Sequence, residues 1–94
     1  MIMADRRSDE YKAWVKAVRA RDGNKCQYPN CKKRTRLEVH HIAPWSLNAI
    51  LRFAVDNGIC LCKPHHYSIK NKESLYIGLF KSIILANKNK KKKK

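Results

Sequence analysis

Every cysteine and every histidine of this chain lies between residues 26 and 66. The cysteines and histidines are Cys26, Cys31, His40, His41, Cys60, Cys62, His65 and His66. A chain of 94 residues suits a single small domain with a thin core. Domains of this size often need disulfides or a structural metal to hold them together. The clustering therefore constrains the fold more than any other feature of the sequence.

The redox environment decides between disulfides and metal. The N-terminus "MIMADRRSDE" lacks the apolar run of a signal peptide, and no apolar stretch is long enough to span a membrane. We therefore expect a reducing, cytoplasmic location (a host cytoplasm if the protein is viral) and no membrane partner. In such a compartment, clustered Cys and His residues favour metal binding over disulfides.

The spacing of the thiols predicts a structural zinc site. Four residues separate Cys26 from Cys31, and two separate Cys62 from His65, so each pair can chelate one tetrahedral ion. Ordinary burial would explain a lone cysteine, but it explains two such spaced pairs poorly. Cys60 shares a strand face with Cys62, so either could be the third thiolate. The C-x-x-H spacing favours Cys62 and leaves Cys60 as a small packed hydrophobic residue.

Local patterns predict an α+β domain. Tyr11, Trp14, Val15 and Val18 form an apolar stripe at helical spacing after the potential cap Ser8. The expected elements that follow this helix are a basic loop at 25–36, a strand at 37–43, an irregular connection at 44–57, a strand at 59–62, a helix at about 63–72 and a packing helix at 73–87. We expect residues 1–87 to form one domain and residues 88–94 to be a disordered, lysine-rich tail.

The charge points to a polyanionic partner. The formal net charge is +15, and the tail holds only six of the 22 basic residues, which leaves 16 basic against 7 acidic residues in the body. Nucleic acid is the commonest partner of such a body, whereas a purely solubilising role fits the tail better. Candidate phosphate contacts lie just before the first strand, at Lys32, Lys33, Arg34 and Arg36.

Three histidines remain if His65 completes the zinc site. A hairpin followed by a helix would bring His40 and His41, at the end of the first strand, close to His66 at the start of the helix. Two imidazoles can hold a divalent cation with open coordination positions, and a third can accept a proton from water near neutral pH. His66 remains an alternative to His65 as the zinc ligand. Because neighbouring strand residues alternate in direction, we expect the strand to end or bulge at His40–His41.

The segments "RDGNKCQYPNCKKRTRLEVHHIAPW" and "NGICLCKPHH" resemble the HNH endonuclease family of ββα-metal nucleases over roughly residues 11–70. The resemblance implies a β-hairpin and helix core with flanking N- and C-terminal helices and a structural zinc. The motif letters fall on His41, Asn57 and His66. By similarity, His40 and His66 would hold one catalytic divalent cation (Mg²⁺, Mn²⁺ or similar), His41 would be the general base, and Asn57 would brace the hairpin loop.

The resemblance also implies an activity, the hydrolysis of double-stranded DNA by a single-metal mechanism that leaves a 5′-phosphate and a 3′-hydroxyl. The family commonly has Cys where this chain has His65, and His is a competent zinc ligand. The segment "LRF" at 51–53 resembles phage-type members, in which Arg52 could contact a phosphate or make a structural ion pair. We expect a monomer or weak dimer. The alternative function is a non-catalytic, zinc-containing nucleic-acid-binding module.

Overall fold

The computed structural model describes residues 8–43 and 52–92. Its regular elements are helix α1 (Asp9–Arg21), strand β1 (Leu37–His41), strand β2 (Gly58–Cys62), helix α2 (Lys63–Ser68) and helix α3 (Ile77–Lys92). Short 3-10 turns cover Val55–Asn57 and Glu73–Tyr76. The expected α+β class is thereby confirmed, with a two-stranded hairpin and flanking helices. Within the described residues, no helix is both long enough and apolar enough to cross a membrane.

The two strands form an antiparallel ladder without a bulge. Pairing runs one-to-one from Leu37 opposite Cys62 to His41 opposite Gly58. β1 ends at His41, two residues before the end expected from the sequence, and the Ile42 amide donates to the Asn57 carbonyl at 2.9 Å. All five residues of β2 are buried, which explains why "GICLC" lacks the alternation of a half-exposed strand.

Helix α1 begins and packs as its sequence predicts. The Ser8 side chain accepts a hydrogen bond from the Tyr11 amide at 3.1 Å and so caps the helix. Trp14 and Val18 are buried against the hairpin. The approach is so close that a Cβ on Gly58 would lie 2.5 Å from the Trp14 ring and 2.9 Å from a Val18 methyl. Glycine at position 58 therefore permits α1 to sit on β2.

A buried ion pair fastens the end of α1 to the rest of the fold. The Arg21 guanidinium donates to both carboxylate oxygens of Asp22 at 2.8 Å and to the Gly58 carbonyl at 2.6 Å. The Asp22 carboxylate also accepts the Cys60 amide of β2 and the Asn87 side chain of α3, both at 2.9 Å. Since each charge has several partners, the pair is satisfied although it is withdrawn from water.

The main core lies on the other face of the hairpin, where α2 and α3 pack. Its buried members are Cys26, Ile42, Ile59, Leu61, Cys62, Ile69, Phe80 and Ile84. This face also carries His40, whose ring meets the Phe80 ring edge-on at a centroid distance of 5.8 Å. The hairpin is thus covered by α1 on one face and by α2 and α3 on the other.

The C-terminal half differs from expectation in three places. α2 ends at Ser68 rather than near 72, and the segment expected as one helix from 73 starts with a 3-10 turn before α3. α3 continues to Lys92, so residues 88–92 are helical where disorder was expected. Lysine is a good helix former and can extend an existing helix without a new nucleus. Much of the irregular connection, including Pro44, lies outside the described residues.

Candidate active site and metal centre

Cys26, Cys31, Cys62 and His65, here called the zinc cluster, come together as their spacing predicts. Their ligand atoms all lie within 4.8 Å of one another. The Sγ atoms of Cys31 and Cys62 are 3.9 Å apart, and His65 Nδ1 lies 3.8 Å from Cys26 Sγ and 3.3 Å from Cys62 Sγ. Tetrahedral Zn–S bonds of about 2.3 Å would place sulfurs about 3.8 Å apart. The cluster therefore fits a Cys₃His zinc site.

A tight turn and an aromatic ring support the zinc cluster. The Cys31 amide donates to the Tyr28 carbonyl at 2.9 Å, and the Tyr28 amide points to Cys26 Sγ at 3.5 Å, as in a metal-binding knuckle. The Tyr28 ring stacks on His65 with centroids 4.1 Å apart and planes inclined by 5°. This contact holds the imidazole in place. Tyr28 was not singled out in the sequence, because its spacing to His65 carries no local signal.

Cys26 and Cys60 are both buried thiols, but only Cys26 belongs to the zinc cluster. Burial raises the pKa of the Cys26 thiol to about 12, so its thiolate needs the stabilisation that a bound cation gives. Burial, followed by the nearby Asp22 carboxylate, raises the pKa of Cys60 to about 11. Cys60 is fully buried and does not belong to the zinc cluster. It therefore packs as a small apolar side chain, as the spacing argument favoured.

His40 and His66 meet on the face of the hairpin that α2 and α3 cover. Their ring centroids are 5.3 Å apart, with the rings inclined at 68°. Burial lowers the pKa of His40 to about 4, with smaller contributions from His66 and His41, so its imidazole is neutral near pH 7. A neutral imidazole is the form that ligates metal.

Glu38 adds a carboxylate to this histidine pair. Its Oε1 lies 2.7 Å from His66 Nδ1, an arrangement in which Nδ1–H donates and the lone pair falls on Nε2. A polar pocket of about 220 Å³ opens beside them, lined by Glu38, Lys63, His66, Tyr67, Lys70 and Glu73. The His40 and His66 imidazoles, with His66 oriented by the Glu38 carboxylate, could hold a divalent cation. Sequence reasoning missed Glu38, although its position two residues before His40 puts both on one strand face.

His41 lies on the opposite face of β1, against α1. Its ring stacks on Trp14 with centroids 4.0 Å apart and planes 17° apart, and its Nε2 is 2.8 Å from the Arg52 carbonyl oxygen. The bulge that was one of the two expectations for His40–His41 is absent, because the ladder stays regular up to His41 and the two side chains point to opposite faces. The ending of the strand at His41 agrees with the expectation.

Asn57 closes the base of the connection between the strands. Its side-chain oxygen accepts the Ala43 amide at 2.8 Å, and its side-chain nitrogen donates to the Ala43 carbonyl at 3.2 Å. Asn57 is buried and lies directly opposite the residues that follow His41. Its carboxamide thus holds the chain in place where β1 ends.

The predicted phosphate contacts lie in two places. Lys32, Lys33, Arg34 and Arg36 are exposed in the loop before β1. Arg34 donates to the Gly23 carbonyl at 2.9 Å, so it lies beside the end of α1. Arg36 adopts a positive φ of 55° and its carbonyl accepts the Lys63 amide at 2.8 Å. Arg52 is half-buried next to His41 and contributes the carbonyl described above.

A comparison with protein families shows which family the chain belongs to. The family model described as HNH endonuclease matches residues 23–72, just over half of the chain. The chain belongs to the HNH endonuclease family. No curated protein and no solved structure matches it. Membership in the HNH family indicates a nuclease that uses a divalent metal and acts on nucleic acid, and the matched span contains the zinc cluster and all three remaining histidines.

Proposed function

We propose that this HNH protein is a metal-dependent endonuclease that hydrolyses phosphodiester bonds of double-stranded DNA. The observation that carries the proposal is the histidine arrangement at the end of β1. His40 and His66 lie 5.3 Å apart on one face, and His41 leaves the same strand end on the other. These three imidazoles are not needed by the zinc cluster, so they are available for a second, hydrolytic site.

His41 is the general base of this proposal. If Nε2–H donates to the Arg52 carbonyl, the lone pair resides on Nδ1, which is the atom that takes the proton from water. Stacking on Trp14 restricts the ring to one plane, so the acceptor direction is set before substrate arrives. The scissile phosphate would lie across the end of β1, within reach of both faces.

His40 and His66 would hold the catalytic cation. A cation bound there supplies Lewis-acid stabilisation of the phosphate oxygens and of the departing 3′ oxygen. Glu38 keeps the proton of His66 on Nδ1 and so leaves the Nε2 lone pair for the cation, and burial keeps His40 neutral. Asn57 positions the strand end, and the exposed basic residues of the loop before β1 neutralise flanking phosphates. Attack by water then leaves a 5′-phosphate and a 3′-hydroxyl.

A supercoiled-plasmid assay tests the function. We expect nicking with Mg²⁺ or Mn²⁺, its loss in EDTA, and resealing of the nicks by a DNA ligase, which requires 5′-phosphate and 3′-hydroxyl ends. His41→Gln keeps a planar donor for the Arg52 carbonyl but removes the proton acceptor, and we expect at least a hundredfold loss of rate. Wild-type rates in this variant would refute His41 as the base. Wild-type protein that binds DNA but never cleaves it would instead support a non-catalytic binding module.

A further inference from the structure

Helix α1 presents a basic groove that the hydrolytic site does not use. The groove, here called the α1 groove, has a volume of about 470 Å³ and is lined by Tyr11, Lys12, Val15, Lys16, Arg19, Ala20 and Asn24. Lys12, Lys16 and Arg19 recur at helical spacing, so the three cations project from one face of α1. The lining contains no acidic residue. The α1 groove is therefore a concave surface of single charge sign.

One end of the α1 groove is linked to the candidate active site by packing through a buried tryptophan. Tyr11, at one end, packs against Trp14 with ring centroids 5.7 Å apart, and Trp14 stacks on His41 at 4.0 Å. At the other end, Asn24 adjoins Gly23, whose carbonyl accepts the Arg34 guanidinium at 2.9 Å. The buried Trp14 ring thus connects Tyr11 of the groove to His41, and the other end of the groove lies beside the basic loop.

We propose that the α1 groove binds the sugar–phosphate backbone of duplex DNA next to the scissile bond, with Lys12, Lys16 and Arg19 as the phosphate contacts. The proposal rests on the proposed nuclease function for the position of the scissile bond. Charge complementarity supports it, because three cations face an anionic polymer while Tyr11, Val15 and Ala20 provide apolar surface for the sugars. Seven residues of helix span about 10 Å, or about three base-pair steps of the duplex.

Arg19 gives the groove an additional polar group. Arg19 is half-buried, and its Nε is itself buried and makes no hydrogen bond within residues 8–43 and 52–92. A phosphate oxygen in the groove is the kind of acceptor that a guanidinium prefers. Because Arg19 lines the groove, its guanidinium is expected to contact phosphate together with Lys12 and Lys16.

Binding to a 20-base-pair duplex in the presence of EDTA tests the proposal without cleavage. The variant Lys12→Gln, Lys16→Gln, Arg19→Gln removes three charges from the α1 groove. The matched control Lys72→Gln, Lys81→Gln, Lys90→Gln removes three exposed charges elsewhere. Each lost phosphate contact lowers the slope of log Kd against log salt by about 0.9. We expect the slope to fall by about 2 to 3 for the groove variant and by under about 1 for the control.

Two further variants keep the result interpretable. Lys12→Arg, Lys16→Arg, Arg19→Lys retains all three charges and should keep the wild-type slope. If the glutamine triple does not fold, Lys12→Gln, Lys16→Gln changes only exposed positions, and its slope should fall by about 1.8. Equal slopes for the groove variant and the matched control would overturn the proposal.

The nuclease assay separates this proposal from the proposed function. In plasmid cleavage, the groove variant should raise KM severalfold and leave kcat within about twofold, since it weakens binding rather than chemistry. If the wild-type protein does not cleave DNA, the proposed function fails while the binding measurement still decides the role of the α1 groove. If the protein cleaves DNA and the groove variant has wild-type KM and salt slope, only the groove assignment fails.

Discussion

The carboxylate of Glu38 accepts a hydrogen bond from the imidazole of His66, with Oε1 2.7 Å from Nδ1. This hydrogen bond links β1 to α2 at the candidate cation site. Two elements that are 28 residues apart in sequence are joined there. The bond fixes which nitrogen of His66 carries the lone pair. A carboxylate that was inconspicuous in the sequence thus determines the chemical form of a proposed ligand.

Replacing Glu38 should weaken cation binding without disturbing the zinc cluster. For Glu38→Ala we expect Mn²⁺ affinity to fall about 10- to 100-fold, because His66 loses the partner that sets its tautomer. Glu73→Ala is the matched control, since Glu73 lines the same pocket without bonding to His66. Calorimetric titration with Mn²⁺ measures both, and bound zinc is counted in parallel. Similar losses in the two variants would mean that only the pocket's negative charge matters.

The two buried cysteines of β2 should respond differently to replacement. Cys62→Ala removes a ligand of the zinc cluster, so we expect loss of the bound zinc equivalent and a large drop in thermal stability. Cys60→Ala removes an equally buried thiol outside the zinc cluster and should retain zinc. Elemental analysis and thermal melts with and without a chelator provide the measurement. Zinc loss in Cys60→Ala, but not in Cys62→Ala, would reverse the ligand assignment.

The buried Arg21–Asp22 pair predicts a large stability effect from one carboxylate. Asp22→Ala leaves the Arg21 charge buried with its main partner removed, and we expect a loss of about 3 to 5 kcal/mol in the free energy of unfolding. Asp56→Ala breaks an exposed ion pair with Lys88 and should cost under about 1 kcal/mol. Urea unfolding of both variants tests this contrast. A loss below about 1 kcal/mol for Asp22→Ala would contradict the buried-pair argument.

Replacing two glycines by alanine should change the free energy of unfolding in opposite directions. Gly58→Ala would push a methyl group into Trp14 and Val18, and we expect it to lower the free energy of unfolding by about 1 to 3 kcal/mol. Gly78 lies in α3 with nothing within 4 Å of an added Cβ, so Gly78→Ala should raise it by about 0.5 to 1 kcal/mol. Denaturant unfolding compares them. A rise in the free energy of unfolding for Gly58→Ala would contradict the close approach of α1 at that position.

The sequence by itself determined the elements and the zinc cluster. Capping by Ser8, the apolar stripe of α1 and the short spacings of Cys26–Cys31 and Cys62–His65 are local signals, because each depends on residues within one or two turns of chain. The resemblance to HNH nucleases was also carried by contiguous motifs, and the family match confirms it. Residue types and spacing were sufficient for these conclusions.

Only the tertiary structure decided which residues surround His40 and which surround His41. The regular ladder directs His40 towards His66 and Phe80 and directs His41 towards Trp14, so adjacent identical residues acquire different neighbours. Glu38, Tyr28 and the Arg21–Asp22 pair likewise act through contacts between segments distant in sequence. Such contacts depend on how α1, α2 and α3 pack on the hairpin, and no local pattern encodes that packing.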